Sequence, residues 1–221
     1  NLSKSELQLI YNKWVAVKQD PIIDYSLVWR LLAGTFLLAL GYLLHYLKLK
    51  NLNEELFTLS ITDKLTGLYN RVKTDNVIFQ KKADVDRYGI NLSIILLDID
   101  FFKRVNDTYG HITGDKVLIE FSQIIKHNVR VTDYVGRWGG EEFLIICPNI
   151  DINNATELAE KLLQKVKNHS FPEVGNITAS AGVNQFSNTE SIASTLQNVD
   201  KALYESKENG RNQVTIYSKN Q

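Results

Sequence analysis

The chain contains one cysteine and no methionine, and neither sign of charge is in excess. A single cysteine excludes an internal disulfide and any cysteine metal cluster. Cys147 lies in the apolar run FLIICP and reads as a buried, inert thiol. Twenty-five basic residues balance twenty-five acidic ones, so no global field argues for nucleic acid or an acidic partner. The absence of methionine, with Asn1 at the start, points to a processed product or a fragment of a longer protein. Two chemistries are also missing. GHITGDK has glycines and a lysine, but its spacing is wrong for a Walker A loop. No Ser-His-Asp arrangement can be assembled, and His111, the one histidine in a motif-like stretch, reads as structural. The chain has no internal repeats and no low-complexity tract.

What is present divides near residue 60. Residues 25–47, YSLVWRLLAGTFLLALGYLLHYL, carry one formal charge, Arg30. As a helix this run spans roughly 35 Å, enough to cross a bilayer with some tilt. Tyr25 and Trp29 mark one end and Tyr42 and Tyr46 the other, as an interfacial belt would. A run this long that starts this late is no cleaved signal peptide. Lysines flank both ends, so charge leaves the orientation open. Residues 1–24 then form an extracytoplasmic tail, the possible end of a sensor domain. In residues 48–60, Leu49, Leu52, Leu56 and Leu59 recur at three-four-three spacing, an a/d seam expected of a helical stalk pairing with a copy of itself.

Residues 61–221 mix strands and helices. LSIILLDID (92–100) reads as a buried strand, and residues 114–129 have apolar positions at helical spacing. DYVGRW and EFLIICP read as a hairpin. Residues 153–169 form an amphipathic helix capped by Asn153 or Asn154. NITASAGV (176–183) reads as a strand, residues 191–210 as a helix ending in Gly210, and NQVTIY as a last strand. The expected fold class is α/β in one domain.

RWGGEEF, residues 137–143, places two glycines before two glutamates at the tip of that hairpin. A Gly-Gly turn can adopt positive φ and brings no side chains against a ligand. Two carboxylates there are costly beside bare phosphate but sensible with a divalent cation between, since Mg²⁺ takes one or two carboxylates plus phosphate oxygens. A second source of such oxygens is DID: Asp98 and Asp100 close an apolar strand, and period two sends both to one face. Carboxylates on both elements describe a metal-phosphate site.

These residues resemble the signature of the GGDEF family, the diguanylate cyclases. The similarity extends to DKLTGLYNR (63–71), LLDIDFFKRVNDTYGHITGDKVL (96–118) and DKALYESKENGRNQV (200–214), four motifs in the family's order. It implies a fold similar to nucleotidyl cyclase and polymerase palm domains, a mixed central sheet wrapped by helices. It implies Mg²⁺ as cofactor, with Mn²⁺ possible. The implied reaction condenses two GTP into cyclic di-GMP with release of two pyrophosphates, in a homodimer whose active sites face each other.

Carried over by position, Asp98 and Glu141 correspond to side-chain metal ligands and the Ile99 carbonyl assists. Gly139 and Gly140 give backbone access to nucleotide, and Glu142 lies near the metal or the hydroxyl to be activated. Asn106 and Asp115 correspond to guanine contacts. Phe102, Lys103, Lys207 and Arg211 correspond to phosphate contacts, the last two on one face of a helix end. RVTD, Arg130 to Asp133, resembles the family's inhibitory product site, which binds cyclic di-GMP. The chain departs from the family pattern at Val72, where a second arginine is common.

The N-terminal stretch LSKSELQLIYNKWV resembles the closing helix of periplasmic solute-binding modules. Because GTP is cytosolic, the resemblance implies that residues from 48 onward face the cytoplasm of a bacterium whose inner membrane holds the span. Two classes of function stay open at this point: a membrane-tethered cyclase, and a non-catalytic receptor reading GTP or cyclic di-GMP and signalling by contact.

Overall fold

The computed structural model describes residues 2–16 and 24–218, without the side chains of residues 16 and 53–60. Two compact units divide at residues 54 and 55. The first holds α1 (Lys4–Ala16) and most of α2 (Ser26–Ile61). From Ser26 to Leu52, α2 is apolar enough and long enough to cross a membrane, and none of that stretch is buried by protein. Leu49 and Leu52 of the expected seam are about half exposed, while the side chains of Leu56 and Leu59 lie outside the described residues.

The second unit is built on a five-stranded mixed sheet in the order β2-β3-β1-β4-β5. Its strands are β1 (Leu92–Ile99), β2 (Tyr134–Arg137), β3 (Glu142–Pro148), β4 (Ala179–Gln185) and β5 (Val214–Ile216). Only the β4-β5 pair is parallel. Every residue of β1 is buried because both faces of the sheet are covered. Period two divides them: Ile95, Leu97 and Ile99 enter one core with Phe121 of α5 (His111–Asn128) and Leu162 of α6 (Ile152–Lys167). Ile94 and Leu96 enter the other, with Ile78 of α3 (Arg71–Tyr88) and Leu203 of α7 (Ile192–Glu208). The rings of Phe121 and Phe143, 4.9 Å apart, join α5 to β3.

Two helices, α3 and α4 (Phe102–Tyr109), carry too few apolar positions to stand out in the sequence. The cap of α6 is Asp151, two or three residues earlier than Asn153 or Asn154. Its extended backbone lets the carboxylate accept the Asn154 N–H at 2.9 Å. Helix α7 stops at Glu208, two residues before Gly210. Cys147 is fully buried, and burial pushes its thiol far up from the ordinary range.

Candidate functional site

The glycines of RWGGEEF sit at the β2-β3 tip, but neither has left-handed backbone. Their use is spatial. A Cβ on Gly139 would stand 2.5 Å from Glu142 Oε2, so the glycine lets the glutamate fold back over the tip. The N–H groups of Trp138 and Gly139 both donate to the Glu142 carbonyl, at 2.8 and 3.3 Å. Gly140 faces open space, and its carbonyl accepts from Arg137 Nε at 3.1 Å and Nη2 at 2.7 Å.

Arg137 was given no role by its sequence, and neither was its partner. Its third nitrogen, Nη1, reaches Asp63 Oδ1 and Oδ2 at 3.3 and 3.4 Å. Asp63 Oδ1 also accepts from the Thr66 N–H at 2.9 Å and hydroxyl at 2.7 Å. Burial works against the Asp63 charge, but the Thr66 bonds and Arg137 outweigh it and hold the carboxyl below the usual range. DKLTGLYNR therefore pins the hairpin through Asp63-Arg137-Gly140. The signal available beforehand was that both residues lie inside motifs already singled out.

The β1-β3 register sets Asp98 opposite Glu142, so both side chains leave the same face. Glu141 is adjacent, its carbonyl accepting the Ile99 N–H at 3.4 Å. Onto this face α7 brings Lys207, whose Nζ lies 2.8 Å from Asp98 Oδ2. Burial raises the Asp98 carboxyl to about 6, with the charges of Glu141 and Glu142 adding to the rise and Lys207 opposing it. Burial also holds Glu141 above its ordinary range, with Lys207 opposing and Glu142 adding. These carboxylates are short of positive charge. Among the described residues no three His, Cys, Asp or Glu side chains are arranged to hold a metal unaided. The donor set fits a hard divalent cation that completes its shell with phosphate oxygens.

Asp100 shares the face of Asp98, as the alternation requires, but has a different job. Its oxygens accept from Thr178 Oγ1 at 2.6 Å, Ser180 Oγ at 2.7 Å and the Asn212 N–H at 3.1 Å. Three donors make it a structural clamp between β1, β4 and the segment after α7.

The other sequence-derived residues surround this cluster in two groups. Phe102 starts α4 with its ring in the core, leaving only main chain for a ligand, and Lys103 is exposed beside it. Asn106 lies against Gly114, the residue before Asp115: a Cβ on Gly114 would stand 1.9 Å from Asn106 Oδ1. Arg211 follows α7, its guanidinium carbon 4.4 Å from the centre of the Phe101 ring. Away from these, RVTD closes a turn. The Arg130 N–H donates to Asp133 Oδ2 at 2.9 Å and the Asp133 N–H to the Arg130 carbonyl at 3.0 Å. Asp133 Oδ1 is buried with no hydrogen-bond partner, and burial raises its carboxyl. Grooves of about 490 and 380 Å³ meet at the exposed Arg130, the larger one reaching Lys161.

Residues 60–213 match the family described as diguanylate cyclase, GGDEF domain. Diguanylate cyclase A of Treponema denticola is 39% identical over 175 residues, covering 76% of this chain and 47% of that protein. The chain thus spans about half the length of that relative. The GGDEF domain of DgcB from Caulobacter crescentus, solved in complex with c-di-GMP, superposes with a TM-score of 0.69 at 33% identity, covering 72% of this chain and 94% of that one. The structure of the coiled coil and GGDEF domain of DgcB gives 0.75 at 30% identity, over 86% and 99%. The match over residues 60–213, more than half of the sequence, places this chain in the GGDEF family of diguanylate cyclase domains.

Proposed function

We propose that the protein is a membrane-tethered diguanylate cyclase that condenses two GTP into cyclic di-GMP and is inhibited by that product. The observation that supports it most is the convergence of Asp98, Glu141 and Glu142 beside Lys207, with the Asp98 and Glu141 carboxyls raised by burial and by the neighbouring carboxylates. A bound Mg²⁺ would be held by Asp98, Glu141 and the Ile99 carbonyl, and would stabilise charge on the phosphates. The protein's own groups position the rest. Asn106 and Asp115 take the guanine edge, and Gly139, Gly140 and the main chain of Phe102 admit the phosphates. Lys103, Lys207 and Arg211 neutralise them. The 3′-oxygen of one GTP bonds to the α-phosphorus of the other as pyrophosphate leaves, and in this reading Glu142, near the metal or the hydroxyl, accepts the hydroxyl proton. Two such transfers between facing protomers close the ring. Positioning and charge stabilisation supply most of the catalysis. Incubating the purified protein with GTP and Mg²⁺ and weighing the product tests this. Cyclic di-GMP is expected, and bound but unconverted GTP would favour a receptor.

Residues 25–47 span the inner membrane in this reading, and the catalytic unit faces the cytoplasm where GTP is found. The stalk pairs two copies so that two sites can meet, which the likeness to a coiled coil with a GGDEF domain supports. Placing Asp at both Leu52 and Leu56 is expected to separate the dimer, because charges buried on a seam are costly. Specific activity at low protein concentration should fall with it. Undiminished activity there would show that the catalytic units pair without the stalk.

Feedback rests on Arg130 and Asp133, whose unpartnered carboxylate oxygen suits the N–H edge of a guanine. Arg130→Ala should leave initial rates near the parent value, since the hairpin chemistry does not use it. Losing a charge-assisted bidentate contact costs about 1.5–3 kcal/mol, about a tenfold to hundredfold loss of product affinity. Titrating cyclic di-GMP against initial rate in both proteins measures the shift, and identical inhibition curves would make RVTD a plain connection.

A further inference from the structure

Phe101 is an aromatic residue left 60% exposed beside the cluster. It also has left-handed backbone, φ 58°. Opposite it, Arg211 and Asn212 are left-handed as well, at φ 61° and 49°. Strained backbone at three non-glycine residues in one place persists only where the surroundings enforce it. Here consecutive residues hold consecutive residues. The Asp100 carboxylate accepts the Asn212 N–H at 3.1 Å, and the Phe101 ring lies 4.4 Å from the Arg211 guanidinium carbon. The Arg211 N–H donates to the Ser206 carbonyl at 3.0 Å, fastening the same segment to α7.

The choice of a ring as partner matters chemically. A carboxylate would consume the guanidinium's hydrogen-bond donors, whereas an aromatic face attracts the charge and consumes none. Among the described residues the Arg211 guanidinium has no hydrogen bond or ion pair. Its planar fork is thus oriented yet free, the state needed to receive an anion with little loss of freedom on binding.

We propose that Phe101 is a positioning residue for Arg211: its ring presents the guanidinium to the triphosphate of GTP, while Asp100 fixes the backbone that carries it. This rests on reading Arg211 as a phosphate contact, and the experiment separates the two claims. Phe101→Ala, Phe101→Leu, Phe101→Tyr and Arg211→Ala are made in the full chain, along with the Phe101→Ala/Arg211→Ala double variant. KM and kcat for GTP are measured for each, and thermal melts check folding. If the protein binds GTP without turnover, the Kd for GTP replaces KM.

Arg211→Ala should raise KM, and Phe101→Ala should raise it about threefold to tenfold with kcat little changed. Tyr, which keeps the ring face, should restore the parent KM; Leu, which keeps apolar bulk without the face, should not. In the Arg211→Ala background, Phe101→Ala should add nothing. A Leu variant as good as Tyr, or an undiminished Phe101 effect without Arg211, would overturn the positioning role. An Arg211→Ala protein with parental KM and kcat would overturn the phosphate assignment itself and the proposal with it. Should Phe101→Ala fail to fold, the Tyr-Leu comparison still decides.

Discussion

Glu141→Ala is expected to lower turnover about a hundredfold to a thousandfold without unfolding the domain. Glu141 is half-buried at the hairpin tip beside Asp98, Glu142 and Lys207, so its loss removes charge aimed at the reacting phosphates and little packing. Stability should not suffer, and the sign can be worked out. Burial holds the Glu141 carboxyl above its ordinary range, so its ionised form opposes folding at neutral pH. Without added divalent cation at pH 7.5, the variant should therefore melt at the parent temperature or slightly above it. Cyclase assays beside thermal melts check both halves. Appreciable product from a folded variant would remove Glu141 from the catalytic set.

Arg137→Ala should damage both stability and activity, although Arg137 touches no substrate in the proposed mechanism. It frees the Gly140 carbonyl and leaves Asp63 without its cation. Leaving partly buried polar groups without partners costs about 1–3 kcal/mol. Misplacing the tip by an ångström can cost about a hundredfold in turnover. The stability loss has a pH signature. The Asp63 carboxyl is held below the usual carboxylate range, so its contribution is fully present at neutral pH and is lost as pH falls through about 4 and below. The gap in melting temperature between parent and variant should be widest near pH 7 and shrink in acid. A gap independent of pH would mean that Arg137 stabilises through packing alone. Arg137→Lys should rescue little, since one ammonium cannot span Gly140 and both Asp63 oxygens.

Much of this site was legible in the chain itself. The nearly unbroken apolar run of residues 92–99 determined a buried strand, and period two the face that Asp98 shares with Asp100. RWGGEEF between two apolar runs determined a carboxylate-bearing hairpin, and the four motifs in order determined the family. These are local properties: backbone period and turn chemistry act over a few residues and are written in composition. Which charge meets which was decided only by tertiary structure. Asp98 and Asp100 look equivalent in DID, yet packing gives one Lys207 and the other Thr178, Ser180 and Asn212. The glycine pair looked like a positive-φ turn, but neither residue has left-handed backbone, and Gly139 instead makes room for Glu142. Arg137 and Asp63, 74 residues apart, have no local pattern linking them, because an ion pair depends on distance in space and leaves no period in sequence.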